Sequence, residues 1–326
     1  MRTIGSALKP TRTFRRLLTV AVAASALLRV SACTKGEEAH PGEATDAAPP
    51  SAVTAGLSTP ESVLWDSASS TWYVSNINGQ PLEKDDNGYI LRLAADGSAR
   101  DSVPFINGAD DDITLNAPKG LALVGDTLWV ADIDVVRAFD MNTGTEVASV
   151  DLAPMDAQFL NDVAVGTDGT LYITDSGIAF DAAGNATHPG QSRVFSIRGR
   201  APEVAVRLRD ESAPNGITWD ESRAAFVIVG FNTPEIYSWA PGAAEVTVIG
   251  RGAGGADGVV ALADGRIIYT SWADSSLNVF DDTTSTTITK GLNAPADLGF
   301  DAARRLVAVP LFTDNRVEFR QVPAPR

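Results

Sequence analysis

The sequence predicts an all-β fold: a six-bladed β-propeller, closed by an N-terminal strand added to the last blade. Three observations predict it. A motif of turn residues running into a short apolar strand returns six times, as "PESVLW" (60–65), "PKGLAL" (118–123), "LNDVAV" (160–165), "PNGITW" (214–219), "ADGVVA" (256–261) and "PADLGF" (295–300). Each copy is followed by further strands rich in β-branched and aromatic residues, and no stretch carries a helical period. Finally, "VTAGLSTP" (53–60) matches "ITKGLNAP" (288–295), which joins the fifth copy to the sixth.

In chain order, residues 1–32 read as a signal peptide. "MRTIGSALKPTRTFRR" is basic and "LLTVAVAASALL" is an apolar run, long enough for a signal core and short for a membrane span. Val30-Ser31-Ala32-Cys33 resembles a bacterial lipobox, so Cys33 is the expected lipidation site. It is also the only cysteine, which excludes a disulfide within the chain. Residues 33–50 are polar, rich in Pro and Ala and without period, as in a flexible tether. His40 falls there and reads as solvated. The expected location is outside the cytoplasm, either membrane-tethered as a bacterial envelope lipoprotein or periplasmic or secreted.

Residues 51–323 read as the propeller. Second strands are "TWYVSN", "DTLWVAD", "TLYITD", "AAFVIVG", "RIIYTS" and "RLVAVP"; third strands run from "YILRLA" to "RVEFR". Outer strands follow in most copies, among them "ARDSVPFI" (99–106) and "TEVASVDL" (145–152). Asp-Gly pairs at 96–97, 168–169 and 264–265 supply hairpin turns. Four-stranded units at this spacing are propeller blades. The sixth lacks an outer strand at the C-terminus, and the match at 53–60 supplies it from Val53–Leu57, which removes an exposed edge.

Charge narrows the partners. The first 32 residues hold six of the 26 basic residues and no acid, leaving 20 basic against 41 acidic, a balance of −21. A nucleic-acid partner needs a basic face and is not expected. A small-molecule partner, contact with a membrane only through the lipid anchor, and a monomer are expected.

In a propeller the first strand of each blade lines the central channel, so one motif position returns at one height on the axis. The second position holds Glu61, Lys119, Asn161, Asn215, Asp257 and Ala296. Acids and amides facing one another in a narrow channel call for a cation. All four candidate ligands, Glu61, Asn161, Asn215 and Asp257, offer hard oxygens, which suit Ca²⁺ and, less well, Mg²⁺ or Mn²⁺. Zinc fits poorly, because the histidines are only His40 and His188.

With "PES", "LND", "PNG" and "ADG" each leading into a first strand, the chain resembles the regucalcin/gluconolactonase (senescence marker protein) family. The site pattern is also similar to paraoxonase and diisopropyl fluorophosphatase. The resemblance implies a divalent metal held by Glu61, Asn161, Asn215 and Asp257, and hydrolysis of lactones or related esters. Two positions depart from the pattern. Lys119 fills a channel slot, either pointing inward as an anchor for a substrate anion or leaning out to solvent. Phe159 stands where the regucalcin-like sugar lactonases resemble one another in having Arg, which makes a more apolar lactone plausible.

The expected mechanism uses the metal to polarise the lactone carbonyl. Asp257 acts as general base or nucleophile, Asn161 and Asn215 hold metal and substrate oxygen, and Glu61 anchors the metal. Loops at 76–87 and 176–192 are expected to wall the pocket as a mobile lid, with His188 as a further candidate substrate contact or a solvated loop residue. Asp110-Asp111-Asp112 reads as a second calcium site or a solvated loop. The competing expectation is a non-catalytic binding propeller with a structural metal.

Overall fold

The structure, a computed structural model, describes residues 50–181 and 185–325. The leader, Cys33 and His40 lie outside them. The described residues belong to the second of two compact units, Asp46–Arg326. Six four-stranded antiparallel sheets form the blades of a propeller. Their innermost strands are Pro60–Asp66, Pro118–Val124, Leu160–Val165, Pro214–Asp220, Ala256–Ala261 and Gly299–Asp301. Among the described residues the one helical element is a 3-10 turn at Ala153–Met155, and no helix is long and apolar enough to cross a membrane.

Both faces of each blade are covered by its neighbours, and this explains the composition of the second strands. Thr71–Asn76, Ala225–Gly230 and Leu306–Leu311 are buried along their whole length. Such strands read as continuous apolar runs because neither face meets water. Six of the core's apolar clusters lie one at each blade-to-blade interface, and a small seventh joins Ile77, Ala117 and Ile133. The sixth blade takes Ala52–Ala55 as its outer strand, with Ala52 opposite Phe319 and Ala55 opposite Arg316. Its interface with the first blade is aromatic: Trp72 packs against Trp65 at 4.5 Å and against Phe319 at 5.4 Å between ring centroids.

Two expectations change. The outer strand of the first blade contracts from 99–106 to Ile106–Asn107, with an isolated bridge between Leu93 and Ala99. Pro104 carries no amide hydrogen and so cannot donate to a continuous ladder there. The segment 176–192 is not simply a loop, because Ala179–Phe180 and Ala186–Thr187 pair as a short hairpin.

The motif itself is a β-bulge. In five blades the register slips at the same place: Pro60 faces Asn76, yet Val63 faces Val74. The slip recurs at Pro118/Leu121, Leu160/Val163, Pro214/Ile217 and Ala256/Val259. The inner strand uses three residues where its partner uses two, which re-aims one side chain and takes one amide off the ladder. Hydroxyls on the second strand recover that amide. Ser62 N donates to Ser75 Oγ, Asp162 N to Thr174 Oγ1 and Gly258 N to Thr270 Oγ1, each at 2.9 Å. Two of these hydroxyls then donate onward to the next blade, Thr174 to Asn215 O at 2.6 Å and Thr270 to Ala296 O at 3.0 Å.

A buried amide left without an acceptor costs about 1–3 kcal/mol. We therefore expect Thr174→Val to lower unfolding stability by about 2 kcal/mol. A surface control such as Thr187→Val, whose hydroxyl meets only Ala179 O on an exposed hairpin, should change little. Urea midpoints at constant slope measure both.

Candidate functional site

Glu61, Lys119, Asn161, Asn215 and Asp257 come from five successive bulges, and all five side chains line one cavity of about 350 Å³. Ala296, in the sixth slot, is fully buried. Each of the five is at least nine-tenths buried. Glu61 Oε2, Asn161 Oδ1, Asn215 Oδ1 and Asp257 Oδ1 have no hydrogen-bond partner. Buried polar oxygens are almost always bonded, so four orphans on one cavity mark a place built for a group that accepts their lone pairs. Two carboxylates and two carboxamide oxygens are a donor set a hard divalent cation takes. No cluster of three or more His, Cys, Asp or Glu suited to a metal occurs among the described residues; this set reaches four only by counting its amides. Asp110-Asp111-Asp112, the other cation candidate, is exposed.

The orientation of each ligand has a local cause. Asn161 donates from Nδ2 to Ser176 Oγ at 3.3 Å, which turns Oδ1 to the cavity. The backbone before it is fixed by Asp175, which accepts from the amides of Gln158 and Phe159 and pairs with buried Arg193 at 3.0 Å. Asp132 does the same before Lys119, accepting from Asn116 and Ala117 and pairing with Arg137.

Lys119 points inward. It is 1 % exposed, donates to Ala117 O at 3.1 Å and lies 4.5 Å from the Phe159 ring centre. A cation over an aromatic face is a favourable contact, so Phe159 supports the ammonium that its own bulk helps to desolvate. Lys119 forms no ion pair among the described residues and leaves Glu61 Oε2 unpartnered. His188 also lines the cavity, but its Nε2 is engaged with Ser176 O at 2.8 Å and Ser192 Oγ at 3.3 Å. It props the hairpin segment against the third blade.

Burial governs the electrostatics. It raises the pKa of Glu61 well above the usual carboxyl range, and the nearby Asp257 and Asp297 add to the rise. Burial and Asp297 raise Asp257 in the same way, while donation from Trp272 and Asn215 opposes it. The Trp272 indole N–H lies close enough to Asp257 to favour its ionised form without meeting full hydrogen-bond geometry. Burial lowers Lys119 to about 8. The third motif position adds a second pair of carboxyls. Asp162 is raised by burial and by Asp297, and burial raises Asp297 to about 7. These two are hydrogen-bonded: Asp162 accepts from Ile217 N at 2.7 Å, and Asp297 from Ser62 Oγ at 2.5 Å.

Asp297 and Trp272 were not among the residues picked out from the sequence. Asp297 was reachable by the same repeat logic, one residue further into the motif. Trp272 belongs to a different repeat position, the residue that follows the second strand.

A family model described as the SMP-30/Gluconolactonase/LRE-like region matches residues 59–297, which spans the first five motifs, the start of the sixth and each of the four residues with an orphan oxygen. The chain belongs to that family. Among solved structures, a presumed gluconolactonase is similar at a TM-score of 0.61 and 16 % identity, covering 86 % of this chain and 99 % of its own. Virginiamycin B lyase from Staphylococcus aureus is similar at a TM-score of 0.53 and 12 % identity, covering 83 % and 99 %. At such identities the likeness shows a shared fold. No curated protein matches the chain. Membership in a gluconolactonase-like family points to a lactonase-type hydrolase.

The raised carboxyls of this SMP-30/gluconolactonase-like site set a pH dependence. Their folded pKa values exceed the unfolded values near 4. The folded state then holds protons that the unfolded chain has released, so the stability these groups add is full below about pH 4 and lost as pH rises through about 7. Lys119, held at about 8 against about 10.4 unfolded, acts only above that window. Chelator-treated protein should therefore melt several degrees lower at pH 7.5 than at pH 5, and Asp257→Asn should flatten part of the fall. Thermal unfolding across that range checks it; a wild-type profile that rises instead would contradict the assignment.

Proposed function

We propose that the chain is a metal-dependent hydrolase of lactones or related esters, with Ca²⁺ the best-suited ion and Mg²⁺ or Mn²⁺ as substitutes. The observation that carries this reading is the set of four orphan oxygens lining one cavity with largely apolar walls. Glu61, Asn161, Asn215 and Asp257 would hold the ion, which would polarise the ester carbonyl as a Lewis acid.

The remaining steps belong to the chain's own groups. Asp257, whose ionised form is favoured by Trp272 and Asn215, takes the proton of the attacking water and returns it to the alkoxide oxygen that leaves as the acyl C–O bond breaks. Asn161, braced by Ser176, orients a substrate oxygen. Lys119 has N–H groups left over after its one bond to Ala117 O, and these can hold a negative substrate oxygen. Glu61, with no partner for Oε2 and no ion pair to Lys119, anchors the ion.

Asp257→Asn should lower kcat/KM for a lactone about a thousandfold, while the metal-free protein keeps its melting temperature or gains a little. Chelation should abolish turnover and added Ca²⁺ restore it. Full activity in Asp257→Asn removes the assigned base. If the ion raises the melting temperature and no lactone or aryl ester is hydrolysed, the ion is structural and the propeller is a binding protein.

Export and a lipid anchor at Cys33 belong to the same proposal and rest on the leader alone. Labelled palmitate should enter the chain in a bacterial host and be lost in Cys33→Ala; no labelling of the wild type would remove the anchor.

A further inference from the structure

The walls of the cavity carry a second repeat. Each second strand has a residue that pairs across from the start of the motif, as Asn76 does with Pro60 and Gly230 with Pro214. The residue after it is Ile77, Ile133, Ser176, Phe231, Trp272 or Phe312 in the six blades. In five of the blades its amide donates back to the residue just before the motif. Examples are Ile77 N to Thr59 O at 3.0 Å, Phe231 N to Ala213 O at 2.9 Å and Phe312 N to Ala294 O at 3.0 Å. The position is therefore equivalent from blade to blade, and five of its six residues are apolar. Ile77, Phe231, Trp272 and Phe312 line the cavity, joined by Phe159 and Ile178. Three of the rings touch in sequence, Phe231 to Trp272 at 5.4 Å and Trp272 to Phe312 at 5.5 Å between centroids. A continuous aromatic face thus spans the fourth, fifth and sixth blades beside the oxygens.

The polar inventory of the same walls is short. His188 Nε2 and Thr187 Oγ1 are already bonded to protein carbonyls. Among the described residues, what remains for a ligand, apart from the oxygens of Glu61, Asn161, Asn215 and Asp257, is the rest of the Lys119 ammonium, the Asn232 amide, the second ring nitrogen of His188 and the Trp272 indole N–H. A sugar lactone carries several hydroxyls on its ring. Most would lie against aromatic carbon without a partner, and buried unpaired hydroxyls weigh against binding.

We propose that the substrate of this site is a lactone bearing an apolar substituent, an alkyl chain or an aromatic ring, and not a polyhydroxylated sugar lactone. The proposal rests on the lactonase reading above for the reacting group. The aromatic face of Phe231, Trp272 and Phe312 takes the substituent while the ester lies at the oxygens. Phe231 and Phe312 are the specificity-determining residues.

Two measurements test it. In the calcium-loaded protein, kcat/KM over γ-lactones with alkyl tails of increasing length should rise about fourfold per methylene until the cavity is filled. Glucono-1,5-lactone should be hydrolysed at least a hundredfold less efficiently than the best of them. Phe231→Ala and the milder Phe231→Leu should each reduce the slope with chain length. Separately, calorimetry with lactams, which are not hydrolysed, should show an octyl-substituted lactam binding and a polyhydroxylated one binding at least tenfold more weakly. A preference for the sugar lactone, or no dependence on chain length, overturns the proposal. Hydrolysis of neither lactone class, with the octyl lactam still preferred, overturns the lactonase reading and leaves the apolar preference standing. Equal or reversed lactam binding overturns the preference whatever the activity.

Discussion

Four carboxyl groups and one ammonium lie at the propeller axis, withdrawn from water, and the rest of the structure is arranged around that charge. Glu61, Asp162, Asp257 and Asp297 are each less than a tenth exposed, as is Lys119. An ionised carboxylate moved into such surroundings without compensation is strongly disfavoured. The fold compensates the pair at the third motif position through donors: Ile217 N and Val163 N reach Asp162, and Ser62 Oγ reaches Asp297. It leaves one oxygen each of Glu61 and Asp257 without a donor. That asymmetry separates structure from site, since a carboxyl bonded to donors within the protein is a brace, whereas one with an orphan oxygen on the cavity can take a ligand.

The geometry that makes this possible is tight. The inner strands approach so closely behind the bulge that a Cβ on Gly258 would stand 2.4 Å from Leu298 N and 2.6 Å from Asp297 Cα. A Cβ on Gly120 would stand 2.4 Å from Asp162 Cα. Contacts that short do not occur between real atoms, so the third motif position is glycine wherever the next blade needs the space. Only in the first, third and sixth blades does it carry a side chain, and there Ser62 and Asp297 bond to each other. The same crowding lets a single threonine serve two blades, as Thr174 and Thr270 do, and ties the height of one ligand to the height of the next. Six apolar interfaces keep the blades from slipping, so the hydrophobic effect sets the site's dimensions.

Much of this was legible in the sequence, for a physical reason. A bulge at a fixed place in every blade makes position two of the motif equivalent around the axis, so Glu61, Asn161, Asn215 and Asp257 could be grouped from linear sequence. The direction of Lys119 could not be read, because a long flexible stem reaches inward or outward from the same backbone; the Phe159 ring and Ala117 carbonyl that hold it belong to tertiary structure. Asp297 was hidden by the choice of offset, since Ala296 occupies the slot that was read. The aromatic wall was hidden by local appearance. A residue just past a strand looks like the start of a loop, and only the pairing of Asn76 with Pro60 and its equivalents shows that Ile77, Phe231, Trp272 and Phe312 form a tier. The outer strand of the first blade was overcounted because its residues suit a strand while Pro104 does not suit a ladder.

The two tiers explain why Phe159 and Lys119 occur together. An arginine at 159 would bring a second cation beside the proposed ion, with its planar group needing several acceptors that the wall does not supply. A phenylalanine there adds apolar surface to the wall and presents a ring face to Lys119, whose ammonium needs few partners once it has Ala117 O and that face. With a divalent ion bound and Lys119 protonated, three positive charges would meet four carboxyls. One retained proton would balance them, and Asp162 and Asp297, both raised by burial and neither assigned to the ion, are the carboxyls able to share it near neutrality. Replacing a polar channel residue by an aromatic one therefore changes two properties at once. It makes the wall hospitable to apolar substituents, and it keeps the axis within the charge that the four carboxyls can offset.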